Sequence, residues 1–279
     1  MTAPVTDRPA AVSPPPIRRG ARVTQVRVMR SEWTKLRSLR STLWSLLAAV
    51  AFVIGLAVLV PSVTVAHWPP RDPRELLFFD PTSRSLAGIF LAQLAIGALG
   101  VLLMSGEYAT GMIRTTFAAV PTRLPVLWAK LVVFAGVTFA LMLPTVLGSF
   151  LVGQKILSSR NIQASLWQPG VARAVIGAAL YITVVGALGM GLGALLRNTA
   201  AAVSTLFGVL FVLPIIIHLL PSSVVEAIDK YLPSSAGQAV SQVVPSPLSL
   251  SPWVGFALFC GYAAAVLATA AVVLRRRDA

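Results

Sequence analysis

Cysteine is nearly missing from this sequence: Cys260 is the only one, and it lies inside an apolar run. One thiol excludes a disulfide within the chain and rules against a thiolate metal site. Histidine is almost as scarce. His67 and His218 stand far apart, so no histidine cluster is available to hold a metal and there is no HExxH pair. Charge is the third shortage. Asp, Glu, Lys and Arg together make 11% of the residues, against roughly 25% in soluble domains. That is too little charge to cover a globular surface. Acids are the scarcer sign, 9 against 23 Lys and Arg, for a net charge of +14.

What fills the chain instead is apolar: 56% of the residues are hydrophobic, with a mean hydropathy of +0.81. The sequence is that of an integral membrane protein. A basic balance raises nucleic acid as a partner. Here the basic residues form short clusters beside apolar runs, as membrane proteins use them, so no nucleic acid is expected and membrane lipids are.

A charge at the centre of a membrane helix costs about 2.5–3.5 kcal/mol, so spans appear as long gaps between charges. Six gaps are long enough for the ~20 residues that a span needs: 41–70, 85–106, 131–154, 174–196, 198–225 and 231–274. The first half of the last gap is rich in Ser, Gln and Pro and is read as a re-entrant or surface segment. The expected spans are about 43–65, 86–104, 126–152, 172–195, 200–220 and 252–274. An even number puts both termini on one side. That side carries sixteen Lys and Arg against seven on the other, so both termini are expected in the cytosol of a cell whose plasma (cytoplasmic inner) membrane the chain crosses.

Residues 1–21 are rich in Pro, Ala and Arg and read as a disordered cytosolic tail; the apolar run that follows is too long for a signal peptide. Residues 22–41 read as an amphipathic helix in the cytosolic interface, with Val26, Met29, Trp33 and Leu36 as one apolar stripe. The alternative is a plain positive-inside anchor. Residues 42–275 form the six-span domain and 276–279 a short cytosolic tail. Trp68 reads as an interface anchor. Gly189 and Gly193 form a GxxxG pair for close helix packing; a dinucleotide loop is rejected there because no strand precedes it. Pro144 predicts a kink in span 3. Asn198 or Thr199 caps span 5, and His218 sits near that span's outer end. Val224, Val225, Ile228, Tyr231 and Leu232 among Glu226, Asp229 and Lys230 suggest a short amphipathic helix on the outer surface.

The stretch 105–125 (SGEYATGMIRTTFAAVPTRLP) is a polar island between two apolar runs, on the cytosolic side by the charge count. No catalytic set accompanies it. No span carries a carboxylate, which argues against an aspartyl-type membrane protease. The four lysines follow Thr34, Ala129, Gln154 and Asp229, so no Gly-Lys and no Walker A loop exists. Uphill work would draw its energy from a partner or an ion gradient.

From here the residues resemble a family. Ser31-Glu32-Trp33-Thr34-Lys35-Leu36-Arg37 with Ser41-Thr42, Gly106-Glu107-Tyr108 with Gly111-Met112-Ile113-Arg114-Thr115, Pro121-Thr122-Arg123, and Leu196-Arg197-Asn198-Thr199 together resemble the permease subunits of type 2 ABC transporters, an exporter class. The resemblance covers about 22–275. It implies an all-α membrane protein of six transmembrane helices with an N-terminal cytosolic interface helix. It implies a transport subunit that is not an enzyme, with no catalytic residue, cofactor or metal of its own. A separate ATP-binding subunit and a second permease copy or paralogue would be its partners. Gly106, Glu107, Tyr108, Gly111, Arg114, Thr115 and Arg123 match the family's ATPase-coupling loop. The uncharged spans suit an amphipathic or lipid-like cargo. The competing readings are a partner-independent secondary transporter, a membrane scaffold, or a membrane enzyme on lipid or peptide.

Overall fold

The computed structural model describes residues 24–72, 75–76, 79–112, 124–244 and 249–276, and among these there is no strand. The expected tail at 1–21 lies outside the described residues. Helix α1 spans Gln25–Ser38 and stops at Leu39, a single extended residue (φ −81°, ψ 117°). That one residue turns the chain into α2, Arg40–Ala66. A short α3, Pro81–Ser85, starts on an Asp80 cap whose carboxylate accepts from Thr82 N at 2.8 Å and Ser83 Oγ at 2.7 Å. Then come α4, Ile89–Ala109, α5, Leu124–Leu157, and α6, Val171–Leu196.

The next crossing is compound. Helix α7, Thr199–Phe207, passes through a π turn at Gly208–Val212 into α8, Leu213–His218. Pro214 explains the widening. Proline has no N–H to give the preceding turn, and a local π adjustment re-satisfies the freed carbonyls. Of the two candidate caps, Asn198 does the work: its Oδ1 accepts from Ala201 N at 3.0 Å. Two short helices follow, α9 at Ser222–Ile228 and α10 at Pro233–Gln238, and α11, Pro252–Arg276, closes the described chain. Pro144 sits inside a continuous α5.

Six of these helical segments are long and apolar enough to cross a membrane: α2, α4, α5, α6, α7 with α8, and α11. Helix α6 is the central one. Over its most apolar stretch it is 78% buried, against 17% for α2 and for α7–α8. Glycine makes that centre possible. A Cβ on Gly193 would lie 2.7 Å from the Val101 carbonyl oxygen, and one on Gly189 would collide with the Gly97 carbonyl. The GxxxG pair therefore presses backbone to backbone against α4. Polar bonds inside this core are few. Tyr181 donates to Gln93 Oε1 at 2.5 Å, joining α6 to α4.

Helix α5 has a polar anchor at each end. Near its C-terminus, Gln154 Nε2 donates to the Pro81 carbonyl at 3.0 Å and to Ser85 Oγ at 2.9 Å, while its Oε1 accepts from Ala164 N at 2.6 Å. Near its N-terminus sits Lys130, buried. The two are 24 residues apart, about 36 Å at the α-helical rise, slightly more than the ~30 Å hydrocarbon core of a bilayer.

Candidate functional site

Helix α1 lies against the start of α5 through Val28 and Met29, which pack on Val126 and Ala129. Gln25 Nε2 adds a hydrogen bond to the Pro125 carbonyl at 3.1 Å. The buried positions of α1 are Val28, Glu32 and Leu36, one helical face at a spacing of four. The stripe expected from sequence to meet the membrane interface overlaps this face in part. Leu36 is buried and Met29 partly so, but Val26 and Trp33 are exposed. The inward face carries a carboxylate in the middle, because partners for it stand on α5 (Lys130) and one turn on in α1 itself (Lys35).

Those partners form a closed ring. Glu32 Oε2 is 2.6 Å from Lys130 Nζ, and Glu32 Oε1 is 2.9 Å from Lys35 Nζ. Glu107 Oε1 accepts from both lysines, at 2.9 Å from Lys130 and 3.1 Å from Lys35. Each acid thus touches both bases, and each base both acids. Glu32, Glu107 and Lys130 are buried, while Lys35 is 28% exposed. Desolvation of a buried ion costs several kcal/mol, and only good geometry with several partners offsets it. The alternating ring supplies two opposite charges per ion and no formal net charge. For Lys35, burial pulls the ammonium's pKa down. The Glu32 hydrogen bond, the charges of Glu107 and Glu32, and the Glu107 hydrogen bond together outweigh that, and the pKa ends above its ordinary 10.5.

The polar island begins on helix, not in a loop. Helix α4 continues to Ala109, so Gly106, Glu107 and Tyr108 occupy its last turns. Gly111 follows with φ +71°. Its N–H bonds the Tyr108 carbonyl at 3.2 Å, the left-handed residue that ends a helix. Two further contacts hold this end of α4. Ser105 Oγ is 2.8 Å from Thr199 Oγ1, and the Arg197 guanidinium stacks over the Tyr108 ring at 5.1 Å. Arg197 itself is left-handed (φ +54°) in the α6–α7 turn. Arg114, Thr115 and Arg123 lie outside the described residues. At the other end of the bundle His218 is exposed, with Nδ1 at 2.8 Å from the Pro214 carbonyl and Nε2 at 3.8 Å from Asp229.

Sequence reasoning found Glu107 but missed its ring. Glu32 and Lys35 entered only as part of a motif, and Lys130 only as one more positive charge. A signal was present: Glu107 and Lys130 each border a long apolar run, one acid and one base at the same end of adjacent spans. Opposite charges at equal depth in neighbouring helices are natural partners.

No family model matches the sequence, and a search of the curated proteins finds no match.

Proposed function

We propose that the chain is the membrane-spanning permease subunit of a type 2 ABC exporter, driven by a separate ATP-binding subunit and paired with a second copy or a paralogue. The observation that carries this reading is the ring of Glu32, Lys35, Glu107 and Lys130. A transporter powered from outside must pass displacement from a docking surface into its spans. Glu107 and Lys130 stand on either side of residues 113–123, the heart of the segment that the family resemblance assigns to coupling. A stiff four-charge joint there ties two spans to the pre-span helix, so a push on that segment moves three elements together. The absence of a Gly-Lys loop in the sequence is in keeping with an energy source on another chain. The exposed apolar faces of α2 and α7–α8 leave area for a second copy. The cargo that suits such uncharged spans is amphipathic or lipid-like, and the termini would face the cytosol.

The test is reconstitution with and without the ATP-binding subunit. The purified chain alone should hydrolyse no ATP. Glu107→Ala and Arg114→Ala should each weaken docking of the ATP-binding subunit and lower its stimulated hydrolysis several-fold. Wild-type stimulation in both variants would sink the coupling assignment.

A further inference from the structure

A cleft of about 870 Å³ opens at the end of α2 remote from α1, within the ~300–1,000 Å³ range of small-ligand sites. Leu59 and Val63, one turn apart on α2, line its apolar part. Both are exposed, so this wall runs out onto the surface that lipid covers in a membrane. Trp68 and Phe79 line the cleft as well, their rings 4.7 Å apart. That ring contact joins the two ends of the segment between α2 and α3, and Trp is the side chain of a membrane–water boundary.

The rest of the lining is charged. Arg71, Glu75 and Arg84 border the cleft and all three are exposed, so their charged ends are open to a ligand. Among the described residues neither arginine makes an ion pair. Two arginines against one glutamate leave one positive charge in excess. His67 also borders the cleft, its Nδ1 donating to the Val63 carbonyl at 2.9 Å, and protonation there could only add to that excess. Arg84 stands on a fixed support, because Pro81 and Ser85 of α3 both accept from Gln154 of α5. A guanidinium matches a phosphate with paired N–H donors. An apolar wall that leads to such a pair of arginines fits an anionic amphiphile.

We infer that this cleft binds a membrane lipid with a singly charged phosphodiester head, of the phosphatidylglycerol kind, in the leaflet remote from α1. Its phosphate accepts from Arg71 and Arg84, and an acyl chain lies along Leu59 and Val63. One phosphodiester neutralises the one charge in excess. Glu75 is met by the hydroxyls of the glycerol head, which donate to it. Phosphatidylcholine carries the same phosphate, but its quaternary ammonium brings the lipid to zero net charge and offers Glu75 no N–H or O–H. The site stands apart from the permease reading, since binding is measured on the chain alone and no ATPase is needed.

The experiment is native mass spectrometry of the purified full chain with phosphatidylglycerol or phosphatidylcholine of matched acyl chains. Expected is a preference for phosphatidylglycerol of about fivefold, the worth of one arginine beside an anionic head. Equal retention of the two lipids would overturn the proposal. Arg71→Gln and Arg84→Gln should each remove most of the preference with an unchanged thermal midpoint, since both side chains are exposed. Arg84→Lys, which keeps the charge, should restore much of it, as a merely structural loss would not. Wild-type preference in both glutamine variants would place the lipid elsewhere and overturn the site. Arg160, exposed in the turn after α5 at the same end of the bundle, does not line the cleft. Arg160→Gln should therefore leave the preference intact; an equal loss there would mean diffuse charge attraction and overturn the site. An excess of free glycerol phosphate should leave the adduct in place; displacement by it would mean a soluble phosphate, not a lipid, is the ligand.

Discussion

Lys130 is the residue on which most of the ring depends. It is buried and lies within 3 Å of both carboxylates. Lys130→Met keeps the length of the side chain and removes the charge, leaving Glu32 and Glu107 with the half-buried Lys35. Removing one partner of a buried ion pair costs about 3–5 kcal/mol, mostly the penalty of the charge left behind. The thermal midpoint of the purified protein in detergent should therefore drop sharply, and adding Glu107→Gln to Lys130→Met should recover part of the loss. A midpoint equal to wild type would mean that the ring contributes nothing. Lys35 gives a different prediction. Its pKa is raised above 10.5 despite burial, by Glu32 and Glu107. A cation whose folded pKa exceeds its unfolded value contributes stability that is fully present below the unfolded value and lost as pH rises through the folded one. The midpoint should hold up to about pH 10 and fall above it, with Glu32, Glu107 and Lys130 among the charges facing Lys35. Lys35→Arg, which stays charged throughout, should flatten that fall.

At the level of elements, the α4–α6 contact is the tightest backbone approach in the bundle and the one most open to test. Gly189 leaves no room for a Cβ against Gly97, and Gly193 leaves little against Val101. Gly189→Leu has no rotamer that avoids the opposing backbone, so the helices must part. Overpacking of a close-packed site costs about 1–3 kcal/mol and occasionally more, and here backbone rather than a mobile side chain stands in the way. Lower yield of folded protein and a reduced thermal midpoint are the expected outcome, and a wild-type midpoint would contradict the packing. This contact was legible in the sequence, as were the six apolar segments, because both follow from local rules: charge-free length and a four-residue glycine spacing. The inward face of α1 was not. Local rules send Glu32 and Lys35 outward, since a lone buried charge is costly. The charges that reverse that cost, on Glu107 and Lys130, belong to helices remote in sequence, and only the folded arrangement brings them to α1. The end of α4 follows the same logic: within the polar island Glu107 stays helical, its partners on α1 and α5 let the helix carry it inward, and the helix stops only at the left-handed Gly111.

For the molecule as a whole, the ring divides the bundle into parts that should respond separately. Helix α1, the last turns of α4 and the first turns of α5 share the four charges and the Val28–Val126 packing. The α4–α6 glycine contact and the Tyr181–Gln93 bond lie elsewhere along the helices and use none of those groups. Proteins open locally in cooperative units whose free energies differ, so loosening the ring should release its own unit first. Amide hydrogen exchange distinguishes this from uniform weakening. In Lys130→Met, exchange should rise together in 25–38, in the last turns of α4 and in the first turns of α5, while the middle of α6 keeps its protection. In Gly189→Leu the order should reverse, with α6 and the middle of α4 losing protection and α1 following only as the whole bundle unfolds. If α1 alone gains exchange in Lys130→Met, the four charges do not act as one joint, and a displacement applied to residues 113–123 has no rigid path into α1.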